Sequence, residues 1–223
     1  MSSKRRYSTS LRAQQTELSR ERILDSAREL FLERGYLGTT LSAIAATAGV
    51  SVQTIYNVAG NKPALFKTVY DTTLAGDDEP TPMADRPMYQ AMRDATDAQS
   101  CLAQYAAIAR TISERVLPLV AVALANSGDP ELHEFIETTE NERAFGARHL
   151  ADHVDRTFGL RPGLDVADAA DTVWALTAPE LADRLVNRRG WPWDKYQEWL
   201  YRTVADSLLG SGESGIPHIG RVE

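Results

Sequence analysis

Apolar residues recur every three to four positions along most of this chain, and this period restricts the fold more than any other feature. Leu102, Tyr105, Ala109, Ile112 and Val116, for example, are spaced by three, four, three and four residues, which is the period of one face of an α-helix. Alternating strand-like stretches are few, and no Asn-Gly pair marks a hairpin. The sequence therefore predicts an all-α fold.

Glycines, prolines and capping residues indicate where the helices end. The predicted helices are 19–35, 41–48, 52–57, 63–74, 102–117, 130–158, 165–188 and 193–209. Pro118 is expected to kink or end one helix and Pro179 to interrupt another. The stretch from Gly76 to Pro87 holds three prolines and four acidic residues, which is typical of a linker or surface loop. The last two helices should form an antiparallel hairpin.

Charge is distributed unevenly along the chain. The net charge is −7, but residues 1–70 hold ten Lys and Arg against five Asp and Glu, whereas residues 71–223 hold 14 against 26. A small basic segment joined to a larger acidic one indicates that the first 70 residues face a polyanion such as nucleic acid.

Residues 41–60 have the pattern of a helix-turn-helix. That motif needs a small residue where the two helices nearly touch and a turn residue that tolerates positive φ. Ala45 and Gly49 fill these two positions. The apolar residues expected to hold the helices together are Ile44, Ala48, Val50, Ile55 and Val58. The alternative is a helical hairpin with only a structural role.

Residues 19–70 resemble the TetR family of transcriptional regulators. The resemblance lies in Arg34-Gly35-Tyr36, Thr39-Thr40, Ile44-Ala45, Ala48-Gly49-Val50-Ser51, Ile55-Tyr56 and Asn61-Lys62. The remaining 150 residues match as a helical region of the expected length that ends in a helix pair. Where the family usually has an aromatic pair after the Tyr56-Asn57 step, this chain has Val58 and Ala59, so the packing beneath the second short helix should differ.

The second short helix offers polar side chains to a DNA major groove. Gln53 and Asn57 can each pair with an adenine edge, and Val52 and Thr54 can touch a thymine methyl group. The resemblance implies a phosphate contact for Tyr56, and the hydroxyl of Thr40 at a helix start can hold another phosphate. The candidate DNA-binding residues are Thr40, Ser51, Val52, Gln53, Thr54, Tyr56, Asn57 and Lys62. Gln53 could instead be merely solvated.

The first twelve residues are basic and contain no acidic residue. Their charged residues are Lys4, Arg5, Arg6 and Arg12. We expect residues 1–18 to form a disordered arm that enters a minor groove or adds nonspecific affinity. The alternative is an expression tail.

Signals for catalysis, metals and cofactors are weak. His149 and His153 stand four apart, but no Glu follows His149 and no third ligand is evident. The single cysteine, Cys101, allows no internal disulfide and is expected in the core. The chain has neither a glycine-rich phosphate loop nor a recognisable carboxylate pair. We therefore predict no enzyme activity, no metal and no cofactor.

The chain is expected in the cytosol, because its longest apolar run, 116–125, is far shorter than the roughly 20 residues of a membrane span and no signal peptide is evident. The predicted domains are the basic arm (1–18), a helix-turn-helix DNA-binding domain (19–62), a helical effector-binding and dimerisation domain (63–209), and a flexible tail (210–223).

These observations predict a transcriptional regulator, most readily a ligand-responsive repressor that binds a palindromic operator as a homodimer. The last two helices should form a four-helix bundle with a second copy, with Leu200 and Val204 in the interface. An apolar or amphipathic effector should bind the second domain, and helix position together with the family likeness singles out Tyr105, Arg110 and Trp174 as pocket residues. The alternatives are an α-helical enzyme with a structural N-terminal hairpin, and a DNA-binding protein without an effector.

Overall fold

The computed structural model describes residues 3–210, with side chains from residue 15 onward. Most of the described residues are helical and none of them forms a strand, so the all-α prediction is confirmed. The α-helices are α1 Ser3–Gly38, α2 Leu41–Ala48, α3 Val52–Ala59, α4 Lys62–Ala75, α5 Pro87–Arg93, α6 Ala98–Leu124, α7 Pro130–Thr157, α8 Val166–Leu176, α9 Pro179–Ala182 and α10 Trp193–Leu209. A 3₁₀-helix covers Met83–Asp85, and a π-helix covers Asp183–Arg188. The predicted flexible tail lies outside the described residues beyond Gly210.

Helix α1 begins earlier than the sequence analysis predicts. Its backbone is helical from Ser3, so residues 3–18 differ from the predicted disordered arm. The stretch contains neither Gly nor Pro, and nothing in it would stop a helix from continuing towards the N-terminus. The regular helical conformation is interrupted at Gly35, where φ is 70° and ψ is 175°.

Proline has different effects in two of the later helices. Helix α6 continues through Pro118 to Leu124, because buried neighbours such as Val116 and Leu119 hold it by packing despite the missing backbone donor. Helix α8 stops at Leu176, and Pro179 begins the short helix α9, as the predicted interruption requires.

The helices form two compact units. Within the described residues, the first takes in 3–80 together with Arg115–Thr139, and the second takes in Thr81–Glu114 together with 140–210. The helices α6 and α7 therefore contribute to both units. These packing units do not follow the functional division proposed at residues 62 and 63, which stays a prediction.

An aromatic cluster forms the core of the first unit. Phe66 on α4 packs edge-on against Phe31 and Tyr36 on α1, with ring centroids 4.9 and 5.3 Å away. From α7, Phe135 packs edge-on against Phe66 at 4.9 Å and against Tyr70 at 5.2 Å. Residues near both ends of this unit's sequence thus share one core.

The core of the second unit includes the packed pair α8 and α10. The buried side chains of α10 are Tyr196, Leu200, Val204 and Leu208. The prediction that Leu200 and Val204 face a second copy is therefore wrong, because a single chain already buries both. Cys101 is buried as predicted, and burial raises the pKa of its thiol to about 11.

Candidate nucleic-acid interface

Side-chain caps and a glycine turn fix the geometry of α2 and α3. The hydroxyl of Thr40 accepts a hydrogen bond of 3.1 Å from the backbone N–H of Ala43 at the start of α2. The hydroxyl of Ser51 accepts one of the same length from Thr54 at the start of α3. Between the helices, Gly49 adopts the left-handed conformation, with φ 67° and ψ 36°. A left-handed residue at this point suits glycine because it has no Cβ.

Most of the apolar residues that were predicted to hold the helix-turn-helix together are buried. Ile44, Ala45, Ala48 and Ile55 are buried, while Val50 and Val58 are half-buried. Ala45 is 4% exposed, which agrees with its expected place where the helices approach.

The outer face of α3 carries exposed polar side chains. Gln53, Tyr56 and Asn57 are exposed, and Tyr56 keeps 51% of its surface accessible. The amide nitrogen of Gln53 donates a hydrogen bond of 3.1 Å to the amide oxygen of Asn57. Val52 and Thr54 are half-buried on the same helix. The amide pair presents both donors and acceptors, the groups that read base edges.

Lys62 lies at the first residue of α4, above an aromatic ring. Its Nζ is 4.0 Å from the centroid of Tyr36, a cation–π distance. The hydroxyl of Tyr36 donates a hydrogen bond of 2.7 Å to Oε2 of Glu131. Burial lowers the pKa of Lys62, and the negative charges of Glu131 and Asp129 act in the opposite direction.

Two residues that support the interface, Thr39 and Glu131, were given no functional role from the sequence. The hydroxyl of buried Thr39 lies 2.9 Å from the carbonyl of Leu30 and 2.8 Å from that of Gly35, and so fastens the end of α1. Glu131 is 95 residues from Tyr36 in the chain. Thr39 belongs to the family motif, whereas no local pattern could indicate the contact of Glu131.

The three proposed pocket residues lie in the second unit. Arg143 donates to the carbonyl of Trp174 at 2.7 Å and also interacts electrostatically with Tyr105. Burial raises the pKa of Tyr105. Trp174 remains 39% exposed. Arg110 instead forms ion pairs with Glu114 at 3.3 Å and Asp194 at 3.6 Å.

A surface pocket of about 290 Å³ opens elsewhere in the second unit. Its lining residues are Gln99, Ser100, Ala103, Gln197, Glu198 and Tyr201. None of the three predicted pocket residues is among them. Their assignment to an effector site therefore stays a prediction.

The two histidines of α7, His149 and His153, pack against aromatic rings. His149 packs against Phe145, with ring centroids 4.3 Å apart, and His153 packs edge-on against Phe158 at 6.0 Å. Among the described residues, no group of three or more His, Cys, Asp or Glu could hold a metal ion.

Within residues 3–210, no helix combines the length and apolar character that a membrane span requires.

Comparisons with known proteins agree with this geometry. Residues 23–69 match the family model of the bacterial regulatory proteins of the tetR family. The HTH-type transcriptional regulator AlkX of Mycobacterium tuberculosis is 46% identical over 48 residues, which are 22% of this chain and 23% of AlkX. The chain thus matches less than a quarter of the length of that curated relative.

Solved structures match over most of the chain. Native NalD, the secondary repressor of the MexAB-OprM multidrug efflux pump in Pseudomonas aeruginosa, superposes with a TM-score of 0.67 at 23% identity, over 89% of this chain and 99% of NalD. The transcriptional regulator FadR of Bacillus subtilis, in complex with stearoyl-CoA, gives a TM-score of 0.64 at 17% identity, over 84% of this chain and 98% of FadR. At these identities the likeness establishes the fold. Residues 23–69 therefore match the N-terminal domain of the tetR family of bacterial regulatory proteins, and the chain shares its fold with solved transcriptional regulators such as NalD and FadR.

Proposed function

We propose that this protein is a sequence-specific DNA-binding regulator, a ligand-responsive repressor that binds a palindromic operator as a homodimer. The observation that carries the proposal is the exposed polar face of α3, held by two caps and the Gly49 turn within the segment that matches the family. Two copies of α3 would enter successive major grooves, about 34–36 Å apart.

The side chains at this interface divide into base-reading and phosphate-binding groups. Gln53 and Asn57 are proposed to read bases, with Val52 and Thr54 beside them. Their mutual hydrogen bond must rearrange when either amide pairs with an adenine edge. The proposed phosphate contacts come from Thr40, Ser51, Tyr56 and Lys62. The excess of positive charge in residues 1–70 supports this division, because phosphate contacts dominate nonspecific affinity.

Replacing Gln53 and Lys62 separately by alanine should produce two different losses. The Lys62→Ala variant should bind all DNA sequences more weakly and flatten the salt dependence of binding by about one unit, because one phosphate contact is lost. The Gln53→Ala variant should lose roughly 1–3 kcal/mol on the preferred site and tolerate more bases at one symmetric position of each half-site. Selection of bound DNA from a random pool, followed by titration at several salt concentrations, measures both effects.

Equal behaviour of the two variants would contradict the assigned roles. Absence of DNA binding by the intact protein at low salt would reject the function. Turnover of a small molecule without DNA would then favour the α-helical enzyme. The half-site spacing in the selected sequences also tests the dimer.

Dimer formation is proposed through the outward faces of α8 and α10. The inward faces are already buried within one chain, so a second copy would have to pack against the opposite sides. Exposed Ala175 on α8 and half-buried Ala205 on α10 lie outside the buried stripes and are small enough for close helix approach. Such packing would form the four-helix bundle expected from the sequence.

Effector binding is proposed in the second domain, with an apolar or amphipathic molecule as ligand. FadR, which shares the fold, holds stearoyl-CoA, so acyl-CoA thioesters and single-chain amphiphiles are the first compounds to test. A ligand at 100 times its dissociation constant should stabilise the protein by about 2.7 kcal/mol and raise its melting temperature by several degrees. The same compound should also weaken operator binding. A broad library that produces no thermal shift would support a DNA-binding protein without an effector.

A further inference from the structure

We propose that Glu131, on α7, is a positioning residue for DNA binding. It restrains Lys62 through the ring of Tyr36, and its negative charge competes with a DNA phosphate for the ammonium group of Lys62. The inference rests on the proposed function, since it requires that Lys62 contact phosphate. It adds a residue 69 positions beyond Lys62 that a DNA-contact motif would not include.

The geometry links the three side chains in a row. The carboxylate of Glu131 accepts the hydroxyl hydrogen bond of Tyr36 at 2.7 Å. The ring of Tyr36 is fully buried, and the ammonium of Lys62 lies 4.0 Å from its centroid. A phenol that donates to a carboxylate carries more electron density on its ring, which strengthens the attraction of a cation at the ring face.

The position of Glu131 is itself fixed by the first turn of α7. Its backbone N–H donates a hydrogen bond of 2.9 Å to the carboxylate of Asp129. The ring of Tyr36 is held in turn by Phe31 and Phe66, with centroids 5.8 and 5.3 Å away. The backbone of Glu131 and the ring of Tyr36 are therefore both held in place beneath Lys62.

Electrostatics gives the direction of the effect. The negative charges of Glu131 and Asp129 attract the ammonium of Lys62. They partly oppose the lowering of its pKa by burial. The same charges repel a phosphate that approaches Lys62. A fixed carboxylate at this place should therefore weaken DNA binding, and removing its charge should strengthen it.

The test compares Glu131→Gln with a charge-matched control in the full-length protein. Glutamine keeps an oxygen that can accept the Tyr36 hydrogen bond and removes the negative charge. Operator affinity should rise roughly three- to tenfold, with an unchanged melting temperature. Glu134→Gln removes the same charge from the same helix, at a position that is exposed like Glu131 but has no hydrogen bond to Tyr36, and should change affinity less than twofold. A merely structural role for Glu131 predicts lower affinity and a lower melting temperature.

A double-mutant cycle with Lys62→Ala tests whether the effect passes through the lysine. In the Lys62→Ala background, Glu131→Gln should change operator affinity less than twofold. The same increase with and without Lys62 would overturn the proposal, since the effect would then be one of general charge. An affinity that falls or stays constant in Glu131→Gln would also overturn it.

The failure of the proposed function is a separate outcome. If Lys62→Ala leaves affinity and salt dependence unchanged, the phosphate role of Lys62 is wrong, and the restraint by Glu131 falls with it. If Lys62→Ala behaves as proposed but the cycle shows no coupling, only the inference about Glu131 is wrong.

Discussion

Replacing Leu200 with aspartate should unfold the protein, not separate a dimer into folded monomers. Leu200 is fully buried on α10 within a single chain. The variant loses the packing of a leucine, which typically contributes 2–5 kcal/mol, and also places a carboxylate in an apolar site. Together these losses approach the roughly 5–15 kcal/mol that stabilise a typical domain. When thermal unfolding is monitored by circular dichroism, the variant should show no cooperative transition or a much lower melting temperature.

The outward faces supply the matched controls for this experiment. Ala175→Glu and Ala205→Glu place the same kind of charge on α8 and α10 at positions outside the buried stripes. Both variants should keep their helical content and sediment as monomers, because like charges would meet across the proposed bundle. A folded, monomeric Leu200→Asp variant would support the prediction from the sequence that the face of α10 with Leu200 and Val204 is the dimer interface. Dimers in both control variants would place the interface elsewhere.

The local part of the interface could be predicted from the sequence because its causes are local. A helix cap, a left-handed turn and a buried small residue each depend on a few neighbouring residues. Gly49 and Ser51 accordingly occupy the expected positions, and of the two threonines that could cap α2, Thr39 and Thr40, the structure uses Thr40. The apolar period likewise located α7 and α10 to within one residue at each end, since one buried face is enough to set it. By contrast, α6 runs seven residues past its predicted end, and α5 was not predicted.

Other features depend on information that a local pattern does not contain. The stripe through Leu200 indicates a buried face, but it does not say whether the same chain or a second copy covers it. The contact of Tyr36 with Glu131 joins residues far apart in sequence, so no spacing could predict it. At the N-terminus, positive charge favoured the prediction of a disordered arm, whereas the absence of helix breakers allows the helix that the structure has.

The core of the first unit leads to a prediction about α7. Phe135 is 7% exposed and packs edge-on against Phe66 and Tyr70 of α4. Phe145 lies ten residues later on the same helix and is 68% exposed. The two phenylalanines are therefore a matched pair with the same chemistry and the same helix, but with opposite burial.

Replacing Phe135 with alanine should cost about 3–5 kcal/mol, because it opens a cavity beside Phe66. At about 2–4 °C per kcal/mol for a chain of this size, the melting temperature should fall by roughly 10 °C. DNA binding should weaken as well, since Phe66 also packs against Phe31 and Tyr36 of α1 and the cavity loosens the support of the helix-turn-helix. The Phe145→Ala variant should change the melting temperature by no more than about 2 °C. Equal losses in the two variants, measured by thermal melting and operator titration, would show that α7 does not complete the core beneath the DNA-binding helices.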